Sequence, residues 1–366
     1  MSGPAQAPLR VAAEALEAFS IAALTATGAD KDTAEAATRA MMHASKLGVD
    51  SHGVRLLDHD VRAIEGGRIN KTPALRFLKD FGSTAVLDAD DGHGALASYA
   101  AMDKAVALAR RFGMGAVAIR NSSHIGAAGA YALNAANQGL IGFCVCNSDA
   151  IVRLHDGAVK FHGTNPIAFA VPLKGSRPWL LDLATSAIPL NRVNLYRSQG
   201  RALPSDVASD AEGRNTDDPH KADMLAPLGG AFSYKGAGLA GMVEILSCAL
   251  TGMRLSTELP AMMGEMKEPR HLGAFVAAIE PSAFIEQDSF DATMTRYLEA
   301  LRGSPSQPGF KVMAPGDREW AEADARTRDG IPLDPETVTA FEQIAARFRI
   351  APIIPANTQK RGAAGR

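Results

Sequence analysis

Two histidines sit in short polar turns built from small residues, a setting in which an imidazole can do more than pack. Asp50-Ser51-His52-Gly53-Val54-Arg55 closes a helical stretch, and Asn121-Ser122-Ser123-His124-Ile125-Gly126-Ala127-Ala128-Gly129 joins an apolar run to an alanine-rich one. Imidazole titrates near neutral pH and so suits proton transfer. The small residues 126–129 let a ligand approach the main chain, and the first N–H groups of the helix they open attract negative charge. Helix capping or core packing would account for either histidine just as simply. Three further turns carry polar groups: Gly163-Thr164-Asn165-Pro166, Asp182-Leu183-Ala184-Thr185-Ser186 and Lys235-Gly236-Ala237-Gly238. All five lie at the ends of regular elements, where a rigid scaffold presents functional side chains.

These residue types admit several chemistries. Ser51, His52 and Asp182 are the parts of a Ser-His-Asp nucleophile. Adjacent Ser and His side chains are poorly disposed as nucleophile and base, however, and the chain lacks a Gly-x-Ser-x-Gly elbow. The nine histidines are dispersed, without His-Glu-x-x-His or paired carboxylates, and Cys144-Val145-Cys146 lacks metal-ligand spacing, so no metal is expected.

The elements that must position the turns follow from periodicity. Residues 11–25 and 30–47 read as a helical hairpin, followed by a helix over 56–65 that Gly66-Gly67 closes. Residues 74–88 read as two short strands around Gly82, and Gly92-His93-Gly94 opens a helix over 95–112. Strands are expected at 116–119, 141–146, 167–171, 179–183 and 271–279, with helices at 127–137, 239–250 and 281–302 and two more within 316–350. The polar, broken stretch 199–227 is expected to be a long loop of the kind that serves as a lid. Strands succeed one another without a helix between each pair, and no Gly-x-Gly-x-x-Gly links a strand to a helix. Both facts argue against a Rossmann domain.

The chain has 366 residues, enough for two or three domains, and its 46% hydrophobic and 21% charged content is that of an ordinary globular protein. A net charge of −2 gives no reason to expect nucleic acid. No apolar run has the length of a membrane span, the N-terminus lacks the apolar core of a signal peptide, and three cysteines lie within apolar runs. A cytoplasmic protein without a membrane partner is expected.

The order and spacing of the five turns carry more information together than any one alone. Leu228-Gly229-Gly230, Leu250-Thr251-Gly252, His271-Leu272-Gly273, Pro315-Gly316-Asp317 and Gly330-Ile331-Pro332 continue the pattern, so that it covers residues 12–350. In this the chain resembles the type-2 malate/L-lactate dehydrogenase family, which also includes ureidoglycolate, sulfolactate and diketogulonate reductases and the cyclic imino-acid reductases. The resemblance implies an α/β fold of the α+β type. A large, mostly antiparallel mixed sheet would form a non-Rossmann nicotinamide-binding domain, and both chain ends would form a helical domain. The active site would lie between domains in a homodimer. The resemblance divides the chain into a helical part of the substrate and dimer domain (1–75), connecting strands and helix (76–115) and the nicotinamide-binding domain (116–260). A returning segment (261–350) and a disordered tail (351–366) complete it.

By the same resemblance the cofactor is NAD or NADP and the substrate a small acid. Ser148, Gly163, Thr164, Asn165, Pro166, Asp182, Leu183, Ala184, Thr185, Lys235 and Gly236 would hold the cofactor, with Gly316 and Asp317 as additions. His124 and His52 are the acid–base candidates, Ser51 and Asp182 would orient His52, and Thr164 and Asn165 would also face the substrate. Three positions depart from the family pattern. Many members place an arginine four residues after the histidine of the Ser-His-Gly turn and a tyrosine eight after it; here these are Leu56 and Asp60. Arg55 would have to take over the guanidinium role, although a one-residue shift turns a helical side chain by about 100°. A charged hydrogen bond to a substrate carboxylate is worth roughly 1.5–3 kcal/mol, whereas Asp60 would repel an acid or receive a cationic amine or iminium. Arg192 lies in a segment, 187–192, where the family carries a Gly-Lys pair, and would replace that lysine near the cofactor phosphates. The expected activity is hydride transfer between NAD(P)H and a small 2-oxo or 2-hydroxy acid. The alternatives are reduction of a cyclic 2-imino acid and a non-catalytic, cofactor-binding homologue.

Overall fold

A computed structural model describes residues 9–353. The expected tail lies outside the described residues from position 354 onward, while Ile353 still packs against the core formed by the two chain ends.

The elements run in the order β1 (Leu9–Val11), α1 (Ala13–Ala26), α2 (Lys31–Lys46), α3 (Leu57–Gly66), β2 (Arg76–Phe81), β3 (Thr84–Asp88), α4 (Gly94–Phe112), β4 (Met114–Ser122), α5 (Gly129–Ala136) and β5 (Ile141–Cys146). There follow β6 (Val152–Arg153), β7 (Lys160–His162), β8 (Ile167–Val171), β9 (Trp179–Leu183), α6 (Leu190–Ser198), β10 (Ala208–Ser209), β11 (Met224–Leu225) and α7 (Tyr234–Glu244). The last are β12 (Leu272–Ile279), α8 (Gln287–Arg302), α9 (Asp317–Asp329), β13 (Ile331–Leu333) and α10 (Pro335–Phe348).

The two ends of the chain build one core. The Asp30 side chain accepts from Thr33 N at 2.8 Å and starts α2; Asp334 does the same for α10 through Thr337 N, with Pro335 preset for the first helical turn. Strand β1 pairs antiparallel with β13, Val11 opposite Ile331. Leu16, Phe19, Leu24, Met41, Leu57 and Ile64 from the beginning then bury against Ile331, Phe341 and Ile344 from the end. The apolar stripes of α1–α3 therefore close only when α10 is in place.

A seven-stranded sheet occupies the middle of the molecule, in the order β2-β3-β4-β12-β5-β8-β9. Its single parallel pair is β3 with β4; the other five pairings are antiparallel. The result is a mixed α/β fold. Helices α4 and α5 cover one face of the sheet. Register aligns Val117, Val276, Cys144, Ala168 and Asp182 across consecutive strands, so one row of side chains runs from apolar core to a carboxylate. Cys144 is fully buried there and Cys146 nearly so; burial raises both thiols, Cys146 to about 12, which leaves them inert.

The stretch 199–227 is not a free lid. It carries β10 and β11, which join β6 and β7 in a four-stranded sheet. Leu203, Ala208 and Leu225 bury against Val152 of β6, Ile188 and Val193 of α6. A segment with its own apolar core cannot swing open without exposing that core. The expected apolar helix 239–250 forms as α7 continued by a π-helical turn, Ile245–Ala249. Among the described residues, no helix is long and apolar enough to cross a membrane.

Candidate active site

The turn that carries His52 is held from three sides. Gly53 passes so close to α2 that a Cβ there would lie 2.2 Å from Ser45 Oγ, and that hydroxyl accepts from Val54 N at 2.9 Å. Arg326 of α9 donates to Ser45 O at 2.7 Å and makes a two-pronged pair with Asp50, Nη2 to Oδ2 at 2.9 Å. Ser51 Oγ lies 2.9 Å from His52 Nδ1, which leaves Nε2 free.

His124 follows the end of β4, where Asn121 takes a positive φ of 50°. Its Nδ1 accepts from Gly126 N at 3.3 Å, so the neutral ring carries its proton on Nε2. The two imidazoles stack, with ring centroids 5.7 Å apart and planes inclined by 19°. Burial lowers the pKa of His52. Burial lowers that of His124 much further, helped by the positive charges His52, His59, Arg270 and His93 would place nearby. Both rings are therefore neutral at pH 7.

They face a small cleft whose walls include Ser123, Ile125, Gly126, Cys146, Asn147, Ser148, Thr164, Pro166, Arg270 and Leu272. Ser148 Oγ accepts from Thr164 N at 3.1 Å, and a Cβ on Gly163 would lie 2.2 Å from that oxygen. Only glycine permits this contact between the two walls. Asn165, fully buried, spends its side chain on the protein itself: Oδ1 accepts from Ser148 N, and Nδ2 donates to Ala240 O and Glu244 Oε2. Thr185, also buried, donates its hydroxyl to Thr164 O and Asn165 O. Main-chain bonds then run from Thr185 N to Thr164 O, from Leu228 N to Thr185 O and from Gly236 N to Leu228 O. This line joins three of the five turns.

Asp182 reaches the end of the turn that carries His124. Its Oδ2 accepts from Gly129 N at 2.8 Å, at the start of α5, where a carboxylate is favoured. Crowding by the protein nevertheless raises its carboxyl to about 6, with the charge of Glu319 adding to the rise and the Gly129 bond opposing it. Asp182 makes no hydrogen bond to His52; Ser51 alone orients that ring. Gly316 packs against Leu180 of β9, and Asp317 is occupied by Arg302 and Ala314 N. Arg192, on the first turn of α6, and Lys235, on α7 with Nζ 5.5 Å above the Phe232 ring, are exposed. Among the described residues, no group of three or more His, Cys, Asp or Glu is placed to hold a metal ion.

Comparison with known proteins decides what this arrangement belongs to. A family model described as malate/L-lactate dehydrogenase matches residues 11–342. The chain is 33% identical over 350 residues to the malate dehydrogenase of Pyrococcus abyssi, covering 93% of this chain and 96% of that protein. The chain belongs to the malate/L-lactate dehydrogenase family. Solved structures of similar shape include the sulfolactate dehydrogenase from Methanocaldococcus jannaschii, with a TM-score of 0.88, 29% identity, and 93% of this chain and 98% of that one covered. Another is the delta1-piperideine-2-carboxylate reductase from Pseudomonas syringae pv. tomato, with a TM-score of 0.83, 26% identity and coverage of 92% and 99%.

Within this family frame, neither of the two substituted positions is among the residues that line the cleft. Leu56 packs against the core of the chain ends, which explains why an aliphatic side chain is suited there. Arg55 does not reach the site: it is about half exposed and pairs with Glu336 at 2.7 Å and Asp334 at 3.9 Å, both on the α10 side. Residues 54–56 form a 3-10 turn, whose rotation of about 120° per residue separates Arg55 from position 56. Asp60 is buried, 3% exposed, with Oδ2 3.2 Å from His93 Nε2, so it is a core partner rather than a group awaiting a ligand. The cleft residues that sequence reading passes over are Asn147 and Arg270. Nothing in the sequence singles out Arg270, one basic residue in a loop that also holds Glu265, Lys267 and Glu268.

Proposed function

We propose that the protein is an NAD(P)-dependent dehydrogenase that interconverts a small 2-hydroxy acid and its 2-oxo acid, with His52 and His124 managing the proton. The observation that carries this reading is the stacked pair of neutral imidazoles on the wall of a cleft shared with Ser148 and the 163–166 turn. The cofactor is NAD or NADP; relatives named for each exist, ureidoglycolate dehydrogenase (NAD(+)) and (2R)-3-sulfolactate dehydrogenase (NADP(+)). The residues present fit such a group. Asn147 Oδ1 is buried on the cleft wall without a partner, an acceptor suited to a carboxamide N–H. Ser148, Gly163, Thr164 and Pro166 provide a wall with closely approachable backbone, Asp182, Leu183, Ala184 and Thr185 extend it, and Arg192 and Lys235 are cations for phosphates. Bound NAD(P) supplies or accepts the hydride.

The chain's own work is proton transfer and positioning. Held neutral by burial, the imidazole pair takes the hydroxyl proton as a 2-hydroxy acid is oxidised, and the proton returns on reduction. Stacked rings this close do not both carry charge, so the pair holds one proton at a time. Ser51 fixes the His52 ring, and Gly126 N fixes the His124 tautomer. Asp60 spoke for the imino-acid alternative; buried against His93, it is not among the residues that line the cleft. The further proposal is that the seven-stranded sheet is the non-Rossmann nicotinamide platform and the unit made by the chain ends the substrate and dimer domain. Exposed Leu239 and Met242 on α7, Ile245 on its π turn and Leu250 just after it support a homodimer.

Titration of NADH and NADPH into the protein, read by nicotinamide fluorescence, tests the first step, and turnover with a panel of 2-oxo acids tests the second. Saturable binding of one nucleotide and oxidation of it by a 2-oxo acid are expected. Absence of binding of both at millimolar concentration would refute the reading.

A further inference from the structure

We infer that Arg270 is the anchor for the substrate carboxylate, taking the role that neither Leu56 nor Arg55 can fill. This rests on the dehydrogenase reading above. An acid held in a partly dry cleft needs a fixed cation, and a guanidinium offers two parallel donors. Arg270 is the one Lys or Arg on the wall of the cleft that contains His52 and His124, and it is 2% exposed. Its other donors are already committed: Nε to Pro260 O at 3.0 Å and Nη2 to Asp149 Oδ1 at 2.5 Å. Nη1 is buried and has no partner. Leaving a charged N–H unsatisfied is costly, a cost that a structural arginine would shed by turning Nη1 to a carbonyl. Arg68, buried nearby, does so with both terminal nitrogens, donating to Ala261 O, Met262 O and Glu265 O, and leaves only its Nε without a partner. In Arg270, a residue of the cleft wall, two of three nitrogens lock the plane of the group and the third is buried without a partner. That is how a preorganised anion site is built. Asp149 balances the charge without blocking the free nitrogen.

The test uses oxamate, a carboxylate of the size of a small 2-oxo acid, added to the full-length protein saturated with NADH and followed by nicotinamide fluorescence. In Arg270→Gln, NADH affinity is expected to stay within about twofold. Oxamate affinity falls by roughly 10- to 150-fold, the fold-change that corresponds to a charged hydrogen bond. Arg270→Lys, which keeps the charge and the Asp149 pair but loses the fork, gives an intermediate loss. Added guanidinium at sub-denaturing concentration restores oxamate binding to Arg270→Ala, an effect that loss of a structural brace would not produce. Unchanged oxamate affinity in Arg270→Gln with NADH retained overturns the anchor while leaving the dehydrogenase reading intact. Loss of NADH binding in both Arg270→Gln and Arg270→Lys makes Arg270 a brace and also overturns the anchor. Failure of the unaltered protein to bind either nucleotide removes the dehydrogenase reading, and the anchor with it.

Discussion

Arg326→Met tests whether the His52 turn depends on α9. The arginine side chain is 6% exposed and donates four hydrogen bonds: one to Ser45 O, two to Asp50 and one to Glu322. Methionine keeps most of the apolar stem and loses all four donors. Asp50 and Glu322 are about half open to water, 51% and 43%, so solvent takes over much of their share and each costs about 0–1 kcal/mol. Ser45 O is different. It belongs to the last turn of α2, has no helical donor, and becomes a buried orphan at about 1–3 kcal/mol. The sum is roughly 1–5 kcal/mol, read as a fall in the urea midpoint with unchanged slope. Because Asp50 is two residues from His52, the turn also loses its fixed position, and displacement of a reacting group by about 1 Å is worth around 100-fold in rate. The expected result is a kcat lower by one to two orders of magnitude, with NADH affinity unchanged. A stability loss below about 0.5 kcal/mol would show that the Arg326 cluster is ornamental. Full kcat in a clearly destabilised variant would show that it does not position His52.

Other outcomes follow from the same geometry. Oxidation needs an unprotonated imidazole, and burial lowers both histidines, so the acid limb of kcat/KM for the hydroxy acid should lie below pH 6.5; a limb above 7 would contradict the proton assignment. His43 is held near 4 by burial and by Arg39, so it is neutral in the fold while the unfolded chain takes a proton below about 6.5. Its contribution is present above pH 6.5 and is lost as pH falls toward 4, on the order of 3 kcal/mol, and His43→Leu should flatten that part of the stability curve in acid. Arg270 is the one formal cation of the cleft and is shared with Asp149, so a second carboxylate finds no partner. Pyruvate should therefore exceed oxaloacetate in kcat/KM by at least about tenfold, and the reverse order would refute a single-anion cleft. Asp60→Tyr, which restores the family residue at a position 3% exposed, should destabilise by about 1–3 kcal/mol without raising turnover; a gain in activity would show that position 60 faces the substrate.

Much of the fold was legible because its signals are local. Residues 141–146, 167–171 and 179–183 are short apolar runs bounded by turn residues, and they fall on β5, β8 and β9. β1 and β13 escaped notice because each is three residues long and its reason to be a strand lies in the other. α6 buries only Val193, which leaves no periodicity to read. α8 reads as amphipathic and buries only Leu298 fully, with Phe290, Met294 and Leu301 half-buried along the same stripe. In the site, His52, His124, Ser148 and Thr164 could be found because polar turns after apolar runs mark them. Arg55 and Asp60 misled because sequence spacing does not say which way a side chain points. Arg270 could not be found at all: its distinction is an unpaired nitrogen, and pairing is a property of three dimensions.

The pairing of β1 with β13 also sets a condition on synthesis. Arg10 and its partner Gly330 stand 320 positions apart, so a nascent chain carries the first strand and α1–α3 for roughly tens of seconds before their counterpart is made. Until then the apolar faces of those helices have nothing to close on, and the turn bearing His52 lacks the Arg326 clamp. A product halted anywhere before Ile331 would lack the closing strand, whatever the state of its central sheet. The His52 turn is thus tied to residues translated long after it, and α1–α3 stay open to chaperones and proteases throughout that interval.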